Sequence, residues 1–428
     1  MACFDYFCIA ECQAAIRQAI RRYRGLGLVL LIGCGTTAES WAQSPPTFVL
    51  PGAHGAASAS PAASATAPPA SAAMVASAAA ASASVPPLPR AASAASAPAP
   101  AWLPYVRVKG RLRAADIGLV INEADPYSVA VGAYYQQQRG LRPEQVLRVE
   151  LPLRGTLRQE EFEALRSSIE AHFGAETQAL ALAWAQPYAV ECNSITGALA
   201  LGFDAALCQH SCAPSRPSSY ANSPSARPLT DHGLRISMLL AARDVDSARA
   251  MIDRGVAADR SLGLRGSPPP EVLFLTTDDA ARNVRARLYP PPGVLRPLGV
   301  RVRVEPAAAA TAQQRVLVLL TGSVRLPRIE GLQFVDGGLA DHLTSFGGLL
   351  GRDTGQSSAL DWIAAGATAT HGSVSEPCNH LQKFPQPQWL LMQYLQGATA
   401  IEAYWKSVLW PQQSLFVGEP LAAPFARQ

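Results

Sequence analysis

The chain predicts an α/β fold: a doubly wound, mostly parallel sheet with helices on both faces, preceded by a disordered tether. Three observations carry this. From Asp116 onward, short apolar runs alternate with amphipathic runs at helical spacing. The first elements read β-α-β-α-β with short connections, the pattern of a parallel sheet covered on both faces. Between residues 51 and 100, 41 of 50 residues are Ala, Ser or Pro and the sole Lys, Arg, Asp or Glu is Arg90. That stretch cannot bury enough apolar surface to offset the entropy of ordering it.

The 428 residues therefore divide into a leader (1–43), an Ala/Ser/Pro-rich linker (44–103) and a single α/β domain (104–428). In the leader, Arg17, Arg21, Arg22 and Arg24 form a basic region followed by the short apolar core Gly-Leu-Gly-Leu-Val-Leu-Leu-Ile-Gly. This core is too short to span a bilayer but suits a signal peptide. It ends Leu31-Ile32-Gly33-Cys34, which resembles a lipobox and predicts lipidation at Cys34. The rival is ordinary cleavage after Ala42, with small residues at Ser40 and Ala42. Gly35 stands where an Asp would favour inner-membrane retention, so the expectation is an outer-membrane lipoprotein facing the periplasm or cell surface, held by its lipid anchor. The linker would then be a stalk, roughly 45 Å end to end by random-coil scaling.

In the domain, 117–121 reads as a buried strand. Asp125 then caps a helix that has Pro126 at its first position and stops at Gly140. A strand at 146–149 follows. The next helix, 158–173, carries Phe162, Leu165, Ile169 and Phe173 on one face, and leads to a strand at 179–184. Residues 208–231 are rich in Ser, Pro and Ala and read as a surface excursion. Helices are expected at 245–260, 278–288, 357–365, 387–396 and 399–408, and strands at 272–275, 300–304, 316–320, 367–370 and 414–417. One sheet is the main expectation; a split near Pro290 is the alternative.

The net charge of +4 is too small for an electrostatic footprint on nucleic acid, so no nucleic-acid partner is expected. There is no Walker loop and no Rossmann glycine fingerprint, and no cofactor or metal is expected. Four cysteines follow the linker: Cys192, Cys208, Cys212 and Cys378. Spacing favours a Cys208–Cys212 disulfide, with pairing of Cys192 to Cys208 or to Cys212 as the rival.

The densest cluster of reactive residue types is His371, Glu376, Cys378 and His380, on the loop after an expected strand, where α/β proteins place ligands. A thiolate at Cys378 would need one of the histidines as base, and the same groups include usable zinc ligands. The plainer alternative is a Cys378 that is buried or in a disulfide. Asn193, Ser194 and Thr196 would line a cleft or simply cap a helix. Gly347 and Gly348 would admit a ligand or let backbones pack. Asp341 and His342 are adjacent on an expected helix and so diverge, which argues against a triad with Ser345.

Several segments together resemble a known family. They are Asn122-Glu123-Ala124-Asp125-Pro126-Tyr127-Ser128, Tyr134-Tyr135 with Arg139-Gly140, Asn193-Ser194-Ile195-Thr196 with Ala200-Leu201-Gly202, Leu343-Thr344-Ser345-Phe346-Gly347-Gly348, Gly372-Ser373-Val374-Ser375-Glu376-Pro377, Lys383-Phe384-Pro385 and Val417-Gly418-Glu419-Pro420-Leu421. The set is similar to an uncharacterised exported bacterial family found in genomes with the exosortase (PEP-CTERM) sorting system, over about residues 115–425. Glu419 stands where that family usually has Asp. The resemblance implies an envelope protein with partners in that system, and it transfers no catalytic residue. A more distant similarity is to gingipain-like, caspase-type cysteine peptidases, which place His-Gly after one central strand and a nucleophilic Cys after the next. Here the corresponding tips read Thr321-Gly322 and Thr370-His371-Gly372. The function expected is an accessory or binding lipoprotein; the alternative is a thiol- or metal-dependent hydrolase using the 371–380 loop.

Overall fold

A computed structural model describes residues 101–263, 268–311 and 315–427. The chain divides into two units, Met1–Ala91 and Ala92–Gln428, and all described residues lie in the second. The leader, Cys34 and the linker up to residue 100 lie outside the described residues. The last three linker residues belong to the fold instead: Leu103 N donates to Gln388 Oε1 at 2.7 Å and Gln388 Nε2 donates to Ala101 O at 3.1 Å. Among the described residues no helix is long and apolar enough to cross a membrane.

The fold is α/β, built on a mostly parallel 11-stranded sheet flanked by helices. In chain order, β1 (Ile117–Asn122), α1 (Pro126–Arg139), β2 (Val146–Val149), the short β3 (Thr156–Leu157), α2 (Gln159–His172) and β4 (Ala179–Leu182) follow the sequence expectation closely. Short strands β5 (Ala189–Val190) and β6 (Asn193–Ser194) form a small second sheet with β3. Then come α3 (Ile195–Leu201), β7 (Ile236–Leu239), α4 (Val245–Ala258), β8 (Glu271–Thr276), β9 (Gly293–Leu295), β10 (Val300–Pro306), β11 (Val316–Gly322) and β12 (Phe334–Leu343). The chain closes with α5 (Ala359–Ala364), β13 (Ala369–Ser373), α6 (Pro387–Leu395), α7 (Ala400–Ser407) and β14 (Ser414–Gly418).

The large sheet runs β2-β1-β4-β7-β14-β13-β12-β11-β8-β10-β9. The strands from β2 to β14 are mutually parallel, as are those from β13 to β10, and the two halves meet at the antiparallel pair β14–β13. Ranked by sequence within each half, both read 2-1-3-4-5, a common doubly wound order. The halves run in opposite directions, so their carboxyl ends lie on opposite edges of the sheet. The chain finishes the second half before returning to lay β14 beside β7, so the first half is complete only when the whole chain is.

Every residue of β4, β7, β11, β13 and β14 is buried. Successive strand side chains point to opposite faces, so burial of unbroken runs means that both faces are covered. On β12, Asp341 meets Arg285 on one face and the next residue, His342, meets Trp362 of α5 on the other.

Two sequence expectations fail here. Asp341 and His342 lie on a strand, not a helix, because β12 carries Gly337 and Gly338, which depress its strand signal. The pairing with β11 shifts register between Val316↔Phe334 and Val318↔Leu339, and Gly337 at φ +82° occupies the irregularity that this shift demands. The helix expected at 278–288 is a turn held by Asp279 O, which accepts from Arg282 N and Asn283 N, followed by a 3-10 helix at Asn283–Leu288.

Candidate functional site

The candidate site lies at the carboxyl edge of the second half-sheet, where β8, β11, β12 and β13 end, the edge at which α/β sheets place ligands. Asp341 on β12 and His371 on β13 share a face, and His371 Nδ1 lies 3.2 Å from Asp341 Oδ1. Arg285, from the 3-10 helix after β8, pairs with Asp341 Oδ2 and donates from Nη2 to Thr321 O at 2.8 Å. All three side chains are 1% exposed or less. Burial alone would raise the Asp341 carboxyl; the Arg285 charge and the His371 hydrogen bond outweigh it and hold the pKa at about 2. The ring of His371 lies between Phe384 and Phe416, with centroids at 5.9 and 5.7 Å. His371 Nε2, Thr321 Oγ1 and Ser373 Oγ are buried without a hydrogen-bond partner among the described residues.

Nearer the surface of this edge, Arg282 pairs with Asp279 at 2.8 Å, Arg282 Nε reaches Thr344 Oγ1 at 3.4 Å, and Thr344 Oγ1 donates to Gln356 Oε1 at 2.6 Å. Gly322 is required beneath this layer, because a Cβ there would stand 2.0 Å from Arg282 O. His342, on the opposite face, accepts from Trp362 Nε1 at Nδ1 (2.9 Å) and donates from Nε2 to Ser357 O (3.0 Å). Burial lowers its pKa, which Asp341 only partly offsets, so the ring is a neutral structural link and no member of a triad.

The loop expected to carry chemistry is arranged differently. Cys378 is bonded to Cys212, and Cys192 to Cys208, each pair with Cα atoms 5.2 Å apart. The Cys208–Cys212 expectation is therefore corrected. Asn193 binds the backbone of Asp204 with both ends of its amide, at 3.0 and 3.1 Å, which carries the turn containing Cys208 onto Cys192. Lys383 Nζ donates to Ser211 O at 2.6 Å, which brings Cys212 against the 374–384 loop. Burial lowers the Lys383 pKa to about 8, with Glu376 opposing the shift. Cys378 has no thiol in this state, so the thiol-nucleophile expectation fails with it. Glu376 Oε1 accepts from Cys378 N at 2.8 Å, and His380 packs on Trp410 with centroids 5.9 Å apart. Both serve loop structure. Among the described residues no group of three His, Cys, Asp or Glu converges to hold a metal ion.

The expected ligand residues are also taken up by the fold. Ser194 caps α3, accepting from Gly197 N at 2.8 Å, and donates to Gln412 O at 3.1 Å. Thr196 donates to Ser414 O at 2.6 Å, and Asn193 Oδ1 accepts from Gln412 Nε2 at 2.7 Å. Gly347 and Gly348 lie against Gly372: a Cβ on Gly372 would stand 2.3 Å from Gly347 C, and one on Gly348 would stand 2.8 Å from Gly372 O. Their use is backbone packing.

The sequence-based comparison with caspase-type peptidases also moves, because β12 intervenes between 316–322 and 369–373. The strand after β11 ends Leu343-Thr344-Ser345, so the two relevant tips carry Thr321-Gly322 and Thr344-Ser345, with neither His nor Cys. Arg285 was missed in sequence because it belongs to no motif and stands between two other arginines, Arg282 and Arg287, from which nothing local distinguishes it. What the edge can do chemically is limited by access: the Asp341–His371 pair has the composition of a general-base dyad, yet neither side chain has any exposed surface. No family model, no curated protein and no solved structure matches this chain.

Proposed function

We propose that this is an exported, disulfide-stapled binding or accessory protein of the bacterial envelope, anchored through a lipidated Cys34, and not a thiol hydrolase. The observation that carries the reading is the Cys212–Cys378 bond, which removes the nucleophile from the 371–380 loop and ties that loop to the 208–231 excursion. Two disulfides accord with an oxidising compartment, since cytosolic thiols are held reduced. The paired Asp341 and His371 are fully buried, which favours a structural use for them. A partnership with the exosortase sorting system rests on the family resemblance.

The test combines two measurements on the full chain in a Gram-negative host. Radiolabelled palmitate should enter the wild-type protein and fail to enter Cys34→Ala. An iodoacetamide probe should label no cysteine of the folded domain until a reductant is added. Palmitate entering both proteins equally, or a peptidase activity that survives in the wild type and disappears in Cys378→Ser, would overturn the reading.

A further inference from the structure

The amino-terminal segment of the domain is laid along α6 by Gln388 in its first turn and Gln396 at its C-cap. Gln388 bonds the backbone of Ala101 and Leu103. Gln396 Oε1 accepts from Val108 N, and its Nε2 donates to Val106 O, both at 3.1 Å. The segment becomes one wall of a groove of about 1080 Å³. It is also lined by Leu295 at the end of β9, by Pro297 and Leu298 of the turn that follows, and by Met392 and Leu395 of α6. A second cavity of about 340 Å³ shares Pro297, Leu298, Leu395 and Arg427 with it and so continues it.

Two independent features mark this groove. First, the lining is apolar on both sides: Trp102, Tyr105 and Val108 come from the amino-terminal segment, and Leu295, Pro297 and Leu298 from the end of β9 and the turn after it. Clustered exposed apolar surface marks interaction sites, whereas scattered residues do not. Second, the charge is of one sign. Arg107, Arg260 and Arg427 line the two cavities, and no acidic residue does. The neighbouring acids are engaged elsewhere: Asp259 by Arg139 and Ala423 N, Glu402 by Leu112 N and Thr399. Arg111 adds to the field, its pKa lowered by burial and by the charges of Arg113 and Arg260.

We propose that this groove binds an extended peptide segment of a partner protein that carries acidic residues beside apolar ones. The volume of the groove alone, about 1080 Å³, is at the top of the range of small-molecule pockets, and the second cavity extends it. β9 is the last strand of the sheet, so an added strand would pair at its outer edge. A concave trough suits a peptide, where a lipid surface would need the Arg and aromatic groups on a projecting face. The inference deepens the binding role proposed above and rests on it. Its test is independent of export and of cysteine state, so it can fail while the palmitate and thiol results stand.

The experiment is fluorescence anisotropy on the full chain with three labelled decapeptides: one alternating Glu with Leu and Phe, one with Lys in place of Glu, and one of Gly and Ser. The acidic apolar peptide should bind, more weakly as salt rises, and the other two should not. Arg107→Glu with Arg427→Glu, both exposed positions, should weaken binding by roughly tenfold or more at an unchanged melting temperature. Leu298→Asp, in the turn after β9, should do the same by a different route. Equal binding of all three peptides, or unchanged affinity in both variants, overturns the proposal. So does sedimentation with phosphatidylglycerol vesicles that the same variants abolish while no peptide binds. A photo-crosslinker at position 298 that captures only the chain's own residues upstream of 101 also overturns it.

Discussion

Arg139 donates from Nε to Glu419 Oε1 at 2.9 Å and from Nη2 to Glu419 Oε2 at 2.7 Å, joining the end of α1 to the residue after β14. The two residues are 280 positions apart. The pair connects two segments of the family-like pattern, Arg139-Gly140 and Gly418-Glu419-Pro420, and gives them a structural purpose: they close the first half-sheet once its last strand is in place. Gly255 of α4 is needed there, because a Cβ would stand 2.5 Å from the Glu419 side chain.

Breaking this pair should be costly. Glu419→Gln leaves the Arg139 guanidinium, 7% exposed, with Asp259 as its remaining anion. Loss of one partner of a buried pair costs about 3 kcal/mol. Urea denaturation should show that loss, and replacing both residues by apolar ones of similar size should recover part of it. A Glu419→Gln midpoint equal to wild type would mean that the pair contributes nothing.

The disulfide connectivity can be read directly. Non-reducing peptide mapping should give Cys192–Cys208 and Cys212–Cys378, and a Cys208–Cys212 peptide would contradict the structure. Cys212 and Cys378 are 166 positions apart, so Cys212→Ser should lower stability by about 4 kcal/mol through the freed denatured chain. The same substitution in fully reduced protein should change little.

Acid stability should carry the signature of Asp341. Its folded pKa of about 2 lies below the ordinary aspartate value of 3.8. A carboxyl depressed on folding contributes stability that is complete above its unfolded pKa and lost as pH falls through the folded one. The window is therefore pH 4 down to pH 2, and the contribution is on the order of 2 kcal/mol. Comparing unfolding free energies of wild type and Asp341→Asn across pH 2–6 should show a pH-dependent component in wild type that the variant lacks. Parallel curves would remove the carboxylate from the account.

Gly372→Ala tests whether the glycines near the site serve packing. The added Cβ would meet the backbone of Gly347 and Gly348, which cannot rotate aside as a side chain can. Overpacking of this kind costs about 3 kcal/mol. The melting temperature should fall clearly, whereas Gly351→Ala, at a position with nothing within 4 Å, should cost less, its φ of +73° being the sole strain.

The local grammar of the chain determined much of this protein unaided. Asp125, Pro126 and Gly140 bound α1 because capping, ring geometry and a left-handed stop act within a few residues. The apolar runs at 117–121, 179–184 and 316–320 read as strands covered on two sides because they are short, unbroken and bounded by polar or turn residues. The excursion at 208–231 declared itself by composition. Tertiary structure decided what depends on residues far apart. β12 was hidden because Gly337 and Gly338 weaken its local signal, and its neighbours β11 and β13 supply the pairing that makes it a strand. The exchange of strands that sets β14 beside β7, the choice of Cys378 for Cys212, and the meeting of Arg285, Asp341 and His371 each arise from strand order. A side chain's sequence neighbours limit its conformation, but its partner in space is chosen by the packing of the whole sheet, which for this chain is complete only when β14 is laid in.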